Sequence, residues 1–259
     1  MADEQQDTAD PLDEAVSRLF GLSYLFPYQR LVVANILEAA EAADIPVHWA
    51  GADAVADAGG GGASGGAAGA AVEAGGGLPE AAPPHVDPSD RECFGRQLVI
   101  LPTGAGKSLC FQLPAMLMEG PTLVIYPILS LMADQERRLR ERGFSPVILR
   151  GGQSREEREI IWEKLRTGQS KFIIANPEGL LTPVVMAQIE NTKIVHMVID
   201  EAHCVSEWGE SFRPAYLEIG RIVAAANPPV IMAFTATASA PVLEKIDRYI
   251  FGGSPAHRI

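Results

Sequence analysis

A chain of 259 residues with 47% hydrophobic residues is long enough to bury a sizeable core. The net charge of −12 argues against a uniformly basic nucleic-acid binder, but its distribution matters more. Residues 1–14 carry six acids and no Lys or Arg, residues 44–92 carry eight acids and one Arg, and the remainder is near +1. The acidity therefore sits in flanking segments and leaves a DNA or RNA partner open. Three cysteines without a Cys-x-x-Cys pair fit a reducing compartment and exclude a disulfide framework or a zinc site. The N-terminus lacks the basic start of a signal peptide, and no apolar run approaches the ~20 residues of a membrane span. A soluble intracellular protein is expected, nuclear in a eukaryote and cytoplasmic in a bacterium.

In chain order, residues 1–12 read as an acidic, frayed tail, and residues 13–43 as helical, with Pro27 opening the second helical stretch. From about 44 to 92 the texture changes. Eleven of the 25 glycines lie between Gly51 and Gly77, among alanines. Such a stretch has too much backbone entropy and too little apolar surface to pack, which predicts a flexible surface insertion. From residue 93 apolar runs (97–101, 122–126, 146–150, 171–175, 195–200 and 230–236) alternate with helical patterns (107–118, 130–142, 154–167, 178–190 and 215–226). This alternation predicts a parallel sheet covered by helices on both faces, a three-layer α/β domain over 93–251. The last helix, 240–251, has no evident strand after it, and 252–259 reads as the start of a linker.

Two motifs carry chemistry. Leu101-Pro102-Thr103-Gly104-Ala105-Gly106-Lys107-Ser108 joins a strand to a helix. Glycines let backbone N–H groups converge on phosphate oxygens, and the helix N-terminus adds positive potential. Thr103, Gly104, Ala105 and Gly106 would form the cradle, Lys107 would reach the β/γ-phosphates, and the Ser108 hydroxyl would ligate Mg²⁺. The strict pattern wants glycine where Leu101 stands. The second motif, Asp200-Glu201-Ala202-His203, ends another apolar run. If its strand neighbours the first in a parallel sheet, two carboxylates arrive beside the phosphate loop. Asp200 would then hold Mg²⁺, and Glu201 would orient or deprotonate the attacking water. Asp-Glu alone also suits a first helical turn; the loop upstream makes the catalytic reading the better one. Gln29 can pair with both hydrogen-bonding positions of an adenine edge. Thr235-Ala236-Thr237 ends the last strand, where ligands bind such sheets.

In this order the segments resemble the first RecA-like domain of superfamily 2 helicases. Asp200 to Pro214, with Trp208, Phe212 and Arg213, and Pro102 to Ala115 are similar to the RecQ form in particular. The resemblance implies a RecA-like P-loop NTPase fold, ATP and Mg²⁺ as cofactors, and 3′–5′ DNA unwinding. It implies adenine reading by Gln29, and catalysis by Lys107, Asp200 and Glu201. His203, Thr235 and Thr237 match positions that couple hydrolysis to DNA movement, and Trp208, Phe212 and Arg213 match a loop that senses single-stranded or partly duplex DNA. It further implies a second RecA-like domain, an arginine finger and a zinc-binding region that this sequence does not contain. The chain by itself is thus expected to hydrolyse ATP poorly. The sequence departs from the family in three places. Phe26-Pro27-Tyr28-Gln29 stands for Arg-Pro-Gly-Gln, Glu207 and Glu210 stand where glutamine and histidine are common, and the insertion lengthens the path to the phosphate loop. An RNA-directed helicase of the same superfamily and a non-catalytic nucleotide-binding module are the competing readings.

Overall fold

The computed structural model describes residues 10–49, 95–207, 214–237 and 239–259. Seven strands form one sheet: β1 (Arg96–Ile100), β2 (Thr122–Ile125), β3 (Val147–Leu149), β4 (Phe172–Ala175), β5 (His196–Ile199), β6 (Val230–Thr235) and β7 (His257–Arg258). Their order is β3-β4-β2-β5-β6-β1-β7, and every pairing between them is parallel. All residues of β2, β4, β5 and β6 are buried, the signature of a sheet covered on both faces. One layer packs Val32, Ile36 and Phe111 against Val124 and Phe234. The other packs Ile222 and Ile246 against Leu98, Ile173 and Met197. The α/β three-layer expectation is met.

The helices follow from local signals. α1 (Pro11–Phe20) starts at Asp10, whose carboxylate accepts from the Leu12 N–H at 2.8 Å. Asp10 and Asp13 also pair with Arg30 of α2 (Pro27–Ala42). Residues 10–12, expected in a frayed tail, instead cap and open a helix, because Asp10 meets the Leu12 N–H and the Arg30 cation. The central helix α3 (Lys107–Leu117) is buried from Cys110 to Leu117. It is followed in the chain by α4 (Leu129–Glu141) and α5 (Arg155–Arg166). The pattern over 178–190 splits into α6 (Pro177–Leu180) and α7 (Pro183–Glu190). The residue before a proline is driven out of helical geometry, and Thr182 is extended at φ −70°, ψ 138°. The short helix α8 (Cys204–Glu207) comes next. After it a 3₁₀ turn (Pro214–Glu218) leads into α9 (Ile219–Ala226), and α10 (Ala240–Tyr249) closes the set.

Two boundaries differ from expectation. Residues 44–49, assigned to the insertion, run beside the end of α3. Val47 bridges Met118 antiparallel, and the His48 N–H donates to Leu117 O at 2.8 Å. The Gly/Ala-rich remainder of that expectation, residues 50–92, lies outside the described residues. Residues 252–259, expected as a linker, contain β7, which pairs with β1 and buries an otherwise open sheet edge. Its two residues are too few for a periodicity to reveal. Among the described residues, no helix is long and apolar enough to cross a membrane.

Candidate nucleotide site

The phosphate loop runs from the end of β1 into α3. Gly104 (φ +85°) and Gly106 (φ +76°) take left-handed backbone geometry, with Gly106 as the N-cap of α3. The two glycines differ in surroundings. A Cβ at Gly104 would meet nothing within 4 Å, whereas one at Gly106 would lie 2.5 Å from Gln29 Nε2. Gly106→Ala should therefore cost more than the ~1 kcal/mol of a left-handed alanine, and more than Gly104→Ala. Thermal melts of the two variants check the ordering; equal losses would deny the contact.

The carboxylates come from the end of β5, but β5 and β1 are not neighbours. β6 lies between them, so the condition of neighbouring strands is not met. The gap is bridged by a long side chain: Lys107 Nζ donates to Glu201 Oε1 at 3.0 Å. The intervening strand delivers Thr235 into the same space. Thr235 O accepts from the Leu101 N–H at 3.0 Å, and Phe234 O accepts from the Ala202 N–H at 2.8 Å. His203 Nδ1 stands 3.3 Å from Glu201 Oε2 and 3.4 Å from Thr235 Oγ1. The Thr235 hydroxyl in turn donates to Thr237 O at 2.9 Å. Lys107, Glu201, His203, Thr235 and Thr237 thus form one connected polar chain across three strands. Glu201 sits at φ +50°, a conformation disfavoured for a residue with a side chain. That geometry re-aims its carboxylate toward the loop, and the strain is held by the surrounding bonds.

Asp200 is buried at 8% exposure, and one of its oxygens accepts from the Glu201 N–H at 3.0 Å. Burial, then the neighbouring Glu201 charge, push its carboxyl up to about 6, with Lys107 acting in the opposite direction. A buried carboxylate this short of countercharge is suited to a divalent cation. No three His, Cys, Asp or Glu side chains gather as a metal cage among the described residues. Ser108, at the start of α3, and Asp200 fit Mg²⁺, which is commonly held by one or two carboxylates with phosphate oxygens and water.

Gln29, on the first turn of α2, reaches the same loop. Its Nε2 donates to Ala105 O at 2.9 Å, and its Oε1 accepts from the Phe26 N–H at 3.0 Å. The Tyr28 hydroxyl also donates to Ala105 O, at 3.2 Å, a contact with no local signal in the sequence. Beside Gln29 opens a cavity of about 460 Å³ that includes Phe26, Gly106, Ser108, Arg138 and Arg142. Its exposed aromatics, Tyr24 and Phe26, alternate with Leu25, a pattern that could have marked a surface feature. Thr103 and Gly104 are exposed in the loop. Trp208, Phe212 and Arg213 lie outside the described residues.

A glycine loop at a helix N-terminus, a lysine in contact with a strand-end carboxylate and a parallel sheet between helices define a RecA-like P-loop NTPase domain. The chain belongs to the DEAD/DEAH box helicase family, which matches residues 84–246, and it is similar to RecQ helicases. It is 40% identical over 153 residues to the ATP-dependent DNA helicase RecQ of Haemophilus influenzae, covering 59% of this chain and 25% of that protein. It is 40% identical over 150 residues to the probable ATP-dependent DNA helicase RecS of Bacillus subtilis, covering 58% and 30%. The chain thus spans a quarter to a third of these relatives' length. The fold is shared with a DUF1998 helicase, MrfA, solved bound to DNA (TM-score 0.57, 16% identity, 96% of this chain and 29% of that one). It is also shared with the Hef helicase domain of Pyrococcus furiosus (TM-score 0.50, 24% identity, 65% and 35%). Membership of a helicase family implies nucleotide use.

Proposed function

We propose that this chain is the ATP-binding domain of a RecQ-like DNA helicase that couples ATP hydrolysis to 3′–5′ strand separation. The observation that carries this reading is the 3.0 Å contact between Lys107 and Glu201. It brings the phosphate loop and the strand-end carboxylates, which are far apart in sequence, into one site. The Thr103–Gly106 backbone and the N-terminus of α3 bind the phosphates, and Lys107 leaves Glu201 for the β/γ-phosphate oxygens. Ser108 and Asp200 hold Mg²⁺, which offsets phosphate charge when bound. Glu201, released from Lys107, orients the attacking water and accepts its proton. His203 touches both Glu201 and Thr235, so a change at Glu201 is passed to Thr235 and Thr237. Trp208, Phe212 and Arg213 are assigned to DNA by the resemblance, through stacking and phosphate contact.

The test is calorimetric and kinetic. The purified chain should bind ATP in the presence of Mg²⁺ and lose most of that affinity in EDTA. Whatever turnover it shows should fall at least ~10²-fold in Glu201→Gln, with ATP binding retained. Single-stranded DNA should bind with an affinity that declines as salt rises. A chain that binds neither ATP nor DNA would refute the proposal.

A further inference from the structure

The peptide between Ala105 and Gly106 is free to turn over as far as its own sequence is concerned. Glycine takes positive and negative φ about equally, so the peptide plane that precedes Gly106 can flip at little cost. In a planar trans peptide the C=O and the N–H point to opposite sides. Whatever holds Ala105 O therefore decides which way the Gly106 N–H faces. Two donors from the first turn of α2 hold it. Gln29 Nε2 donates at 2.9 Å, and the Tyr28 hydroxyl donates at 3.2 Å. A carbonyl oxygen has two lone pairs, and both are thus engaged from the α2 side. The Gly106 N–H is turned to the far side of the loop, and among the described residues it donates to no protein group.

The two donors are not equivalent. The Gln29 amide is divided. Its Oε1 accepts from the Phe26 N–H at 3.0 Å, and the resemblance engages the same side chain with an adenine edge. The Tyr28 hydroxyl bonds Ala105 O alone among the described residues. Its ring is steadied in two ways. The backbone root is the second residue of α2, behind Pro27, and one face lies parallel to the Phe26 ring (centroids 5.6 Å apart, planes 7° apart). The residue is 38% exposed, so core packing does not explain its orientation. Tyr28 stands where the family pattern has glycine, which has no side chain to offer, so this brace is a feature of this chain.

We propose that Tyr28 is a positioning residue for phosphate binding: its hydroxyl pins Ala105 O toward α2 and keeps the Gly106 N–H presented to the phosphate oxygens. The proposal rests on the nucleotide reading of the loop. The experiment compares the full chain with Tyr28→Phe, which loses the hydroxyl and keeps the stacked ring. Titration calorimetry with Mg²⁺ reads the affinity for ATP and for inorganic tripolyphosphate. Glycine-selective isotope labelling reads the Gly106 amide proton, which moves downfield when it donates to an anionic oxygen. Tyr28→Phe should bind both ligands about fivefold more weakly, by the same factor. Its Gly106 amide should also shift less at saturating tripolyphosphate, a change that a merely structural tyrosine would not produce. Unchanged affinity, a loss confined to ATP, or a full Gly106 shift in the variant overturns the proposal and leaves the phosphate site standing. Failure of the unaltered chain to bind tripolyphosphate and ATP overturns the phosphate-site reading as well.

Discussion

Asp200→Asn is expected to make the protein more stable at pH 8 while removing its Mg²⁺-dependent nucleotide binding. The native carboxyl is raised from 3.8 to about 6 by burial and by Glu201. The folded state therefore binds this proton more tightly than the unfolded state does. Stability contributed by the group is fully present below about 4 and is lost as pH rises through about 6. At pH 8 the ionised, buried carboxylate costs up to ~3 kcal/mol, which the asparagine avoids while its Oδ1 can still accept from the Glu201 N–H. Melting curves should show a gain of roughly 5 °C at pH 8 that shrinks toward zero as pH falls below about 4. An asparagine variant that melts lower than the unaltered protein at pH 8 would show that Asp200 is not held against its preference. The pairing of higher stability with lost binding is the usual exchange at a functional site.

Lys107→Ala carries the second large effect. A charge-assisted hydrogen bond to phosphate is worth ~1.5–3 kcal/mol, so ATP affinity should fall roughly 10- to 100-fold. The ligand-free fold should change little, because Glu201 keeps His203 at 3.3 Å and is partly open to solvent. A second consequence separates this from simple loss of a contact. Lys107 holds the Asp200 carboxyl down, against burial and Glu201. Without it, the Mg²⁺ dependence of residual binding should move to higher pH. Calorimetry across pH 5–8 reads both effects, and an unchanged affinity would remove Lys107 from the phosphate site.

Much of this was legible in the sequence because each element carried local punctuation. Gly-Lys-Ser after an apolar run, Asp-Glu at the end of another and strand–helix alternation suffice to name a three-layer domain and to single out the groups proposed for catalysis. The strand order was not legible. No local signal says that β6 enters between β5 and β1, since that order is set by crossover geometry and shared burial. β7 was missed because two residues carry no period, and Asp10 because an acidic residue reads as tail until the N–H it caps is seen. The engagement of Gln29 by the loop backbone was equally hidden, because it joins positions 76 residues apart.

The position of β6 has a mechanical meaning. All six of its residues are buried, and it is bonded on both sides along its length. Such a strand does not flap; it moves as a bar, together with the neighbours that grip it. Thr235 is the tip of that bar, so a push delivered there is not absorbed by a soft loop. Amide exchange should be slowest along Val230–Phe234 and rise abruptly after Thr235. On the proposed reading, a change at Glu201 would reach Thr235 through His203 at the tip of the most firmly held strand, and pass from there to Thr237.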